Sequence, residues 1–464
     1  MVNAEIALSR MRKSDGSPAP GYPEVKIVVL WDGEGGKLAR SYGNRRIHPD
    51  AGIYELGAMD DETYEGLAVK KTTTWWTLSK NAKDLTSTAP WLPKEPDMGD
   101  VNTLSNFLEW ANKRYTAQNV VLILSDHGGG TEWETESGGI GNKIMSSRSL
   151  CWDDSSSVPR ALTASDVKNA IEASGLSVNI IWMDCCLQGS VENTYLLRGA
   201  ADYLLTSQNV SYAHNYYDAF LRLKRGYSAY NFGTELVAEY ANYYKGCTEP
   251  YTERSRSSFD TAFTQALYSL DSSKQQALYD AIENLSEELL SFDRAEVEGI
   301  YTEFLKQNPY NISDCKGMAY EGTYSFMNDI GHFCQSLIED DFWGSQPKVK
   351  AAAEAVEHAL DEIVLSAWVG KTGKGVCNYS IYLSNNYSET SPLIWYCKNV
   401  SGVTEKAACS ESDYKIGLSI GTQLSVPSSD DYLRNTKFWE FYSNYSGVTG
   451  YSQKWGELMK VWHP

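Results

Sequence analysis

The chain has 464 residues, enough for one large α/β unit with insertions or for two or three smaller domains. Its 60 acidic and 41 basic residues give a formal net charge of −19, which argues against nucleic acid and anionic membranes as partners, since both attract basic surfaces. Aromatic residues make up 12% of the chain, as expected of a folded protein, and no apolar stretch approaches the length of a membrane-spanning helix.

The first 21 residues are polar and lack the apolar core of a secretory signal peptide. The nine cysteines are an odd number, so at least one lies outside any intramolecular disulfide. Since none shows the C-x-x-C spacing typical of structural zinc, we expect no metal site. The Trp and Tyr content favours a secreted or cell-envelope protein whose targeting signal is absent from this sequence.

Apolar runs and helical periodicity alternate through the first half of the chain. In chain order they predict a buried first strand at Val25–Trp31, a helix at Asp100–Lys113 capped by Asp100, a strand at Val120–Leu124, a helix at Thr163–Ala173, a strand at Val178–Met183, a helix at Glu192–Gly199, a strand at Tyr203–Thr206 and a helix at Tyr227–Lys245. This alternation predicts an α/β fold with a mainly parallel, doubly wound sheet.

The second half has a different pattern. From 257 to 370 it is predicted to be mostly helical, with helices at Leu270–Leu290, Arg294–Lys306, Tyr324–Ile338 and Val349–Ala367, followed by a late strand at Tyr379–Leu383. We therefore divide the chain into an α/β core at 1–250, a mainly helical insertion or lobe at 251–370, and a Tyr/Trp-rich C-terminal region at 371–464 that completes the fold.

Two predicted strands end at residues whose side chains can take part in catalysis. VVLIL leads into His127 and Gly128, and VNIIWM leads into Asp184, Cys185 and Cys186. Because active sites of parallel sheets collect at the carboxyl ends of strands, this places a histidine and a cysteine on one rim. An imidazole that favours loss of a thiol proton creates a thiolate able to attack a carbonyl. The competing interpretation, a core cysteine and a loop histidine, is less favoured when both follow buried strands.

The same segments resemble a known family. VVLILSDHGGG at 120–130 and VNIIWMDCCLQGSVENTYLLRGAADYLLTSQ at 178–208 are similar to the two signatures of the clostripain family of cysteine peptidases, in the clan of caspases, legumain and gingipains. The resemblance implies a caspase-like three-layer sandwich and an endopeptidase acting on proteins or peptides. It implies His127 as the catalytic imidazole and Cys186 as the nucleophile, with the backbone N–H groups of Gly128 and Cys186 as the oxyanion hole.

The resemblance also implies a specificity pocket. Asp184 would pair there with an Arg or Lys before the scissile bond, and Ser207 and Gln208 would line the pocket or its rim; capping of a backbone turn is the other interpretation of Asp184. Cys185 stands where the family has Ala, and alternation along a strand prevents two adjacent thiols from both facing His127. Gln188 and Asn209 also depart from the family pattern, and His214 is an outside candidate for substrate contact.

The loop at 131–160 is polar, rich in Gly and Ser, and lies between the two catalytic residues. Exposed loops of this kind are the usual sites of cleavage. It contains Lys143 and Arg148, after which a basic-specific enzyme would cut itself.

No cofactor is expected. The acidic pairs Asp153-Asp154 and Asp340-Asp341 are candidate calcium ligands, although a solvated charge pair is the favoured interpretation. Two other functions use the same sequence features: a catalytically silent caspase-like module that binds a partner or glycan through its Tyr/Trp-rich C-terminal surface, and a transpeptidase or amidase with the same His-Cys dyad.

Overall fold

The fold is known from a computed structural model, which describes residues 2–32, 51–59, 81–126, 128, 150–153, 160–208, 214, 216–245, 264–300, 327–369, 418–421 and 453–462. The α-helices in these ranges are α1 (Val2–Met11), α2 (Val101–Arg114), α3 (Ala164–Ser174), α4 (Val191–Leu197), α5 (Tyr216–Leu221), α6 (Ala229–Lys245), α7 (Ser272–Leu290), α8 (Arg294–Ile300), α9 (Ile330–Glu339), α10 (Pro347–Ile363) and α11 (Gln453–Trp462). The strands are β1 (Val28–Trp31), β2 (Gly52–Glu55), β3 (Lys83–Asp84), β4 (Val121–Ser125), β5 (Leu150–Asp153), β6 (Arg160–Leu162), β7 (Val178–Asp184), β8 (Ala201–Thr206), β9 (Thr264–Ser269), β10 (Met327–Asp329), β11 (Val364–Val369) and β12 (Ser419–Gly421).

A five-stranded sheet with the order β4-β7-β8-β9-β11 forms the centre of the fold. Strands β4, β7 and β8 are parallel, and Ser125 at the end of β4 lies opposite Asp184 at the end of β7. Strand β9 runs antiparallel to β8, and β11 runs antiparallel to β9. The parallel half therefore brings the carboxyl ends of β4 and β7 to one rim, where the two predicted motifs begin.

Helices cover both faces of this sheet, as the alternation along β7 illustrates. Ile181 and Met183 point into a core shared with α2, α3, α4 and α7, whereas Ile180 and Trp182 point into a second core shared with α1, α5 and α6. All four side chains are buried. A strand buried on both faces is a continuous apolar run, which is why its position could be predicted. The architecture is the predicted three-layer α/β sandwich.

The N-terminal region departs from the prediction. Helix α1 comes before the first strand and packs on α5 through buried residues such as Ala7 and Leu8. The apolar residues of α1 form a short stripe that polar residues interrupt, so the helical periodicity of this part of the sequence is too weak to predict a helix. Strand β1 is half-buried, begins only at Val28, and pairs antiparallel with β2 in a separate three-stranded sheet. The predicted strand is therefore confirmed over Val28–Trp31, whereas its burial, its start at Val25 and its place as the first ordered element are wrong.

The prediction of a mainly helical segment at 251–370 is wrong for three strands. Strand β9 is fully buried in the central sheet but has polar residues at half of its positions, so it lacks an apolar run. Strand β11 follows α10 directly, with no Gly or Pro to mark the boundary. Strand β10 lies inside the predicted helix Tyr324–Ile338 and pairs with β12. The division of the chain at 250 and 370 stays a prediction, and the late strand Tyr379–Leu383 lies outside the described residues.

The predicted N-cap of the helix at Asp100–Lys113 is confirmed. Asp100 caps α2 by accepting a hydrogen bond from the Asn102 N–H. The Thr163 hydroxyl caps α3 by accepting from the Asp166 backbone N–H, and the Asp166 carboxylate accepts from the Thr163 backbone N–H, which completes a capping box. Within the described ranges, no helix combines the length and the apolar character needed to cross a bilayer.

Candidate active site

The chain segments that follow β4 and β7 are in close contact at a glycine. A side-chain carbon placed on Gly128 would lie 2.3 Å from the carbonyl oxygen of Cys186 and 2.8 Å from its amide nitrogen, so only a glycine fits there without displacing that backbone. The segment after β4 thus contacts the segment after β7 at Cys186. His127, the predicted imidazole, lies outside the described residues, directly before this contact.

The two adjacent cysteines have different surroundings. Cys185 is buried, and its thiol donates a hydrogen bond to the carbonyl oxygen of Leu124, with the sulfur 3.3 Å away. Burial raises the pKa of the Cys185 thiol well above its ordinary value. Cys186 is only half-buried. Both are thiols rather than halves of a disulfide. A buried thiol that is costly to ionise makes a poor nucleophile, so the chemistry favours Cys186.

The loop after Cys186 is fixed by a residue that had no interpretation in the sequence. The Gln188 side-chain nitrogen donates to the Cys186 carbonyl at 3.2 Å, and the Asn193 amide donates to the Gln188 side-chain oxygen at 2.9 Å. Leu187, between Cys186 and Gln188, has a backbone φ of 64°, a left-handed conformation that is strained for a leucine. Ser190 caps α4. The cysteine is therefore anchored to the first turn of α4.

Asp184 lies on the opposite side of the strand from Cys185 and is buried. One carboxylate oxygen accepts from the backbone N–H of His214 at 3.3 Å and lies 3.2 Å from its ring Nδ1. The other accepts from the Tyr216 hydroxyl at 2.5 Å. Burial, together with the charge of Asp184, raises the pKa of Tyr216 well above its ordinary value, so at neutral pH the phenol is a donor.

The rings around this carboxylate were not found by sequence reasoning. His214, an outside candidate, packs edge-on against Trp182 with ring centroids 4.6 Å apart, and lies beside Tyr240. Tyr216 was not considered at all. Both contacts join Asp184 to residues about thirty positions later in the sequence, so no local sequence pattern indicates them.

Ser207 and Gln208 are also buried and hydrogen-bonded. The Ser207 hydroxyl lies 2.8 Å from the Thr264 hydroxyl, which also accepts from the Gln208 backbone N–H at 3.0 Å. The Ser207 carbonyl accepts from the backbone N–H of Gly189 at 2.9 Å. The two predicted pocket residues thus lie alongside the loop that follows Cys186.

The remaining candidates fall elsewhere. Asp153 is buried and accepts from the Met98 N–H at 2.7 Å, and Asp340 accepts two backbone N–H groups in a turn. No group of three His, Cys, Asp or Glu side chains able to hold a metal occurs among the described residues. Asp154, Lys143 and Arg148 lie outside them.

Comparisons with known proteins give the family. The sequence model of the clostripain family matches residues 23–462. Clostripain from Hathewaya histolytica is 25% identical over 320 residues, which cover 63% of this chain and 58% of that protein, so the chain spans less than two thirds of the relative's length.

One solved structure supports the fold. An inactive zymogen C11 protease from Parabacteroides distasonis superposes with a TM-score of 0.50 at 12% identity, covering 99% of this chain and 91% of the other. A secreted C11 cysteine protease from Bacteroides thetaiotaomicron gives a TM-score of 0.49 at 13% identity, with 83% and 82% covered. The predicted caspase-like fold is confirmed, and because the family model matches almost the entire sequence, this chain belongs to the clostripain family.

Proposed function

We propose that the protein is a cysteine endopeptidase that uses a His127–Cys186 dyad. The observation that supports this most directly is the contact between Gly128, the sequence neighbour of His127, and the backbone of Cys186, whose side chain is half-buried. Membership of the clostripain family supports the same reaction class.

The mechanism follows from these groups. The His127 imidazole takes the Cys186 thiol proton, and the thiolate forms a bond to the carbonyl carbon of the scissile peptide. The N–H groups of Gly128 and Cys186 donate to the oxyanion. The C–N bond then breaks as His127 returns its proton to the leaving amine. Water, deprotonated by the same imidazole, hydrolyses the thioester and regenerates the thiol.

We further propose that the substrate is cleaved after Arg or Lys, with Asp184 as the acidic group of the pocket. Its carboxylate lies two residues before Cys186 on the same rim. Among the described residues its carboxylate contacts His214 and the Tyr216 hydroxyl and forms no ion pair with a lysine or arginine. A buried carboxylate favours a cationic ligand strongly, because little solvent screens the pair.

Peptides that differ only in the residue before the scissile bond test this specificity. We expect Arg or Lys peptides to be hydrolysed about 10- to 100-fold faster than Leu or Asp peptides, the size of a charged hydrogen-bonded contact. Fluorogenic peptides give kcat/KM for each. Fastest turnover of Leu or Asp would contradict the specificity. If no peptide is hydrolysed and an Arg or Lys peptide electrophile does not label Cys186, a catalytically silent binding module is favoured. A product with a new amide bond would indicate a transpeptidase.

We also propose self-cleavage after Lys143 or Arg148. We expect purified wild-type protein to separate on a denaturing gel into a small N-terminal and a large C-terminal fragment, with the Cys186→Ala variant whole. Mass spectrometry of the fragments identifies the cut. Equal cleavage of both proteins would indicate a contaminating protease, and an intact, active wild-type chain would show that activity needs no cut. The secreted or cell-envelope location of the protein also stays a prediction.

A further inference from the structure

A buried carboxylate lies behind the proposed pocket, on a strand that sequence reasoning assigned to a helix. Asp329 ends β10 and has no solvent exposure. One of its oxygens accepts from the side-chain nitrogen of Gln208 at 2.5 Å, and the other accepts from the backbone N–H of Gly331 at 2.9 Å. Asp329 and Gln208 are separated by 121 residues, so this contact joins distant parts of the chain.

Gln208 itself lies against the loop that carries the proposed nucleophile. A side-chain carbon placed on Gly189 would lie 3.0 Å from the Gln208 Cα and 2.9 Å from the Tyr268 hydroxyl. The Gly189 N–H also donates to the carbonyl of Ser207, the neighbour of Gln208. Gln208 therefore packs against the loop that follows Cys186, and in the proposed function it lines the pocket for the residue before the scissile bond.

The chemistry of the contact determines how Gln208 is oriented. A carboxylate only accepts hydrogen bonds, so the Gln208 amide must present its nitrogen to Asp329 and direct its oxygen away from it. An asparagine in place of Asp329 would keep its one oxygen on the Gly331 N–H and turn its nitrogen toward Gln208, which favours the reversed orientation of the Gln208 amide. The negative charge of Asp329 therefore selects one of two amide orientations.

We propose that Asp329 is a specificity-determining positioning residue, which orients Gln208 so that its amide oxygen favours a cationic side chain in the pocket. This inference rests on the proposed function, in which Gln208 lines that pocket. Asp329 acts through Gln208 and does not touch the reacting atoms.

The test is Asp329→Asn, which keeps the shape and removes the charge. We expect the ratio of kcat/KM for Arg over Leu peptides to fall about tenfold, chiefly through a higher KM for the Arg peptide. The rate of Cys186 alkylation by iodoacetamide, a small reagent that needs no pocket, should stay within about twofold. Asp280→Asn is the matched control, since Asp280 is exposed and likewise accepts from a glutamine amide, that of Gln276, at 2.8 Å.

A double-mutant cycle checks that Asp329 acts through Gln208. Gln208→Met should lower the Arg/Leu ratio by a similar factor, and adding Asp329→Asn to it should cause no further loss. An unchanged ratio in Asp329→Asn, or a full additional loss in the double variant, would overturn the inference. If Asp329→Asn does not fold, an unchanged ratio in Gln208→Met overturns it instead. Wild-type enzyme with no preference for Arg or Lys would contradict the proposed specificity, a result separate from these.

Discussion

Replacement of Cys186 with alanine should abolish peptide hydrolysis, whereas Cys185→Ala should keep most of it. Loss of a catalytic nucleophile lowers kcat by about 10⁴-fold or more. Cys186 is half-buried beside Gly128, while the Cys185 thiol is buried and donates to the Leu124 carbonyl. The measurement is kcat/KM on an Arg or Lys peptide for both variants.

Each variant serves as the other's control. Cys185→Ala removes a buried sulfur and a weak hydrogen bond, so we expect a loss of about 1 kcal/mol in the free energy of unfolding and no change in mechanism. Thermal melting of both variants separates a loss of folding from a loss of catalysis. A folded but inactive Cys185→Ala, together with an active Cys186→Ala, would show that the assignment is wrong by one residue.

Gly128→Ala should reduce activity by about 100-fold or more without unfolding the protein. The added methyl carbon would lie 2.3 Å from the Cys186 carbonyl oxygen and 2.7 Å from the Cys185 Cβ, so one of the two strand ends must move. A displacement of about 1 Å at a reacting group is enough for a loss of this size. The measurement is kcat/KM on the preferred peptide, together with the rate of Cys186 alkylation.

Gly299→Ala is the matched control for this substitution. Gly299 lies in α8, and nothing lies within 4 Å of the carbon that the substitution would add. Alanine is also the better helix former, by roughly 1 kcal/mol, so this variant should be fully active and at least as stable as the wild type. A Gly128→Ala variant as active as Gly299→Ala would show that the tight contact at Cys186 does not matter for catalysis.

The sequence predicts the parallel half of the sheet well, for a physical reason. Strand β7 and the second half of β8 are buried on both faces, so they are apolar runs that end abruptly at polar residues. The parallel pairing of β4 with β7 then brings the motif-bearing ends together, as the pairing of Ser125 with Asp184 shows.

The missed parts depend on tertiary contacts. Thr264 and Gln265 are polar yet buried in β9, where Thr264 bonds to Ser207. Asp329 is a carboxylate in the core because Gln208 and the Gly331 N–H satisfy it. Local composition cannot reveal partners that lie 57 or 121 residues away, so such residues look like surface positions in the sequence.

Within the part of the chain that the structure describes, strand β4 is an edge strand of the central sheet. The chain up to Ser125 also supplies α1 on one face of the sheet and α2 on the other. After a cut at Lys143 or Arg148, these parts would form the smaller subunit of a heterodimer. It would contact the larger fragment through strand β4 and through α1 and α2 on the two faces of the sheet. Recovery from denaturation would then be a second-order reaction whose rate falls with dilution, whereas the uncut chain would refold at a rate independent of concentration.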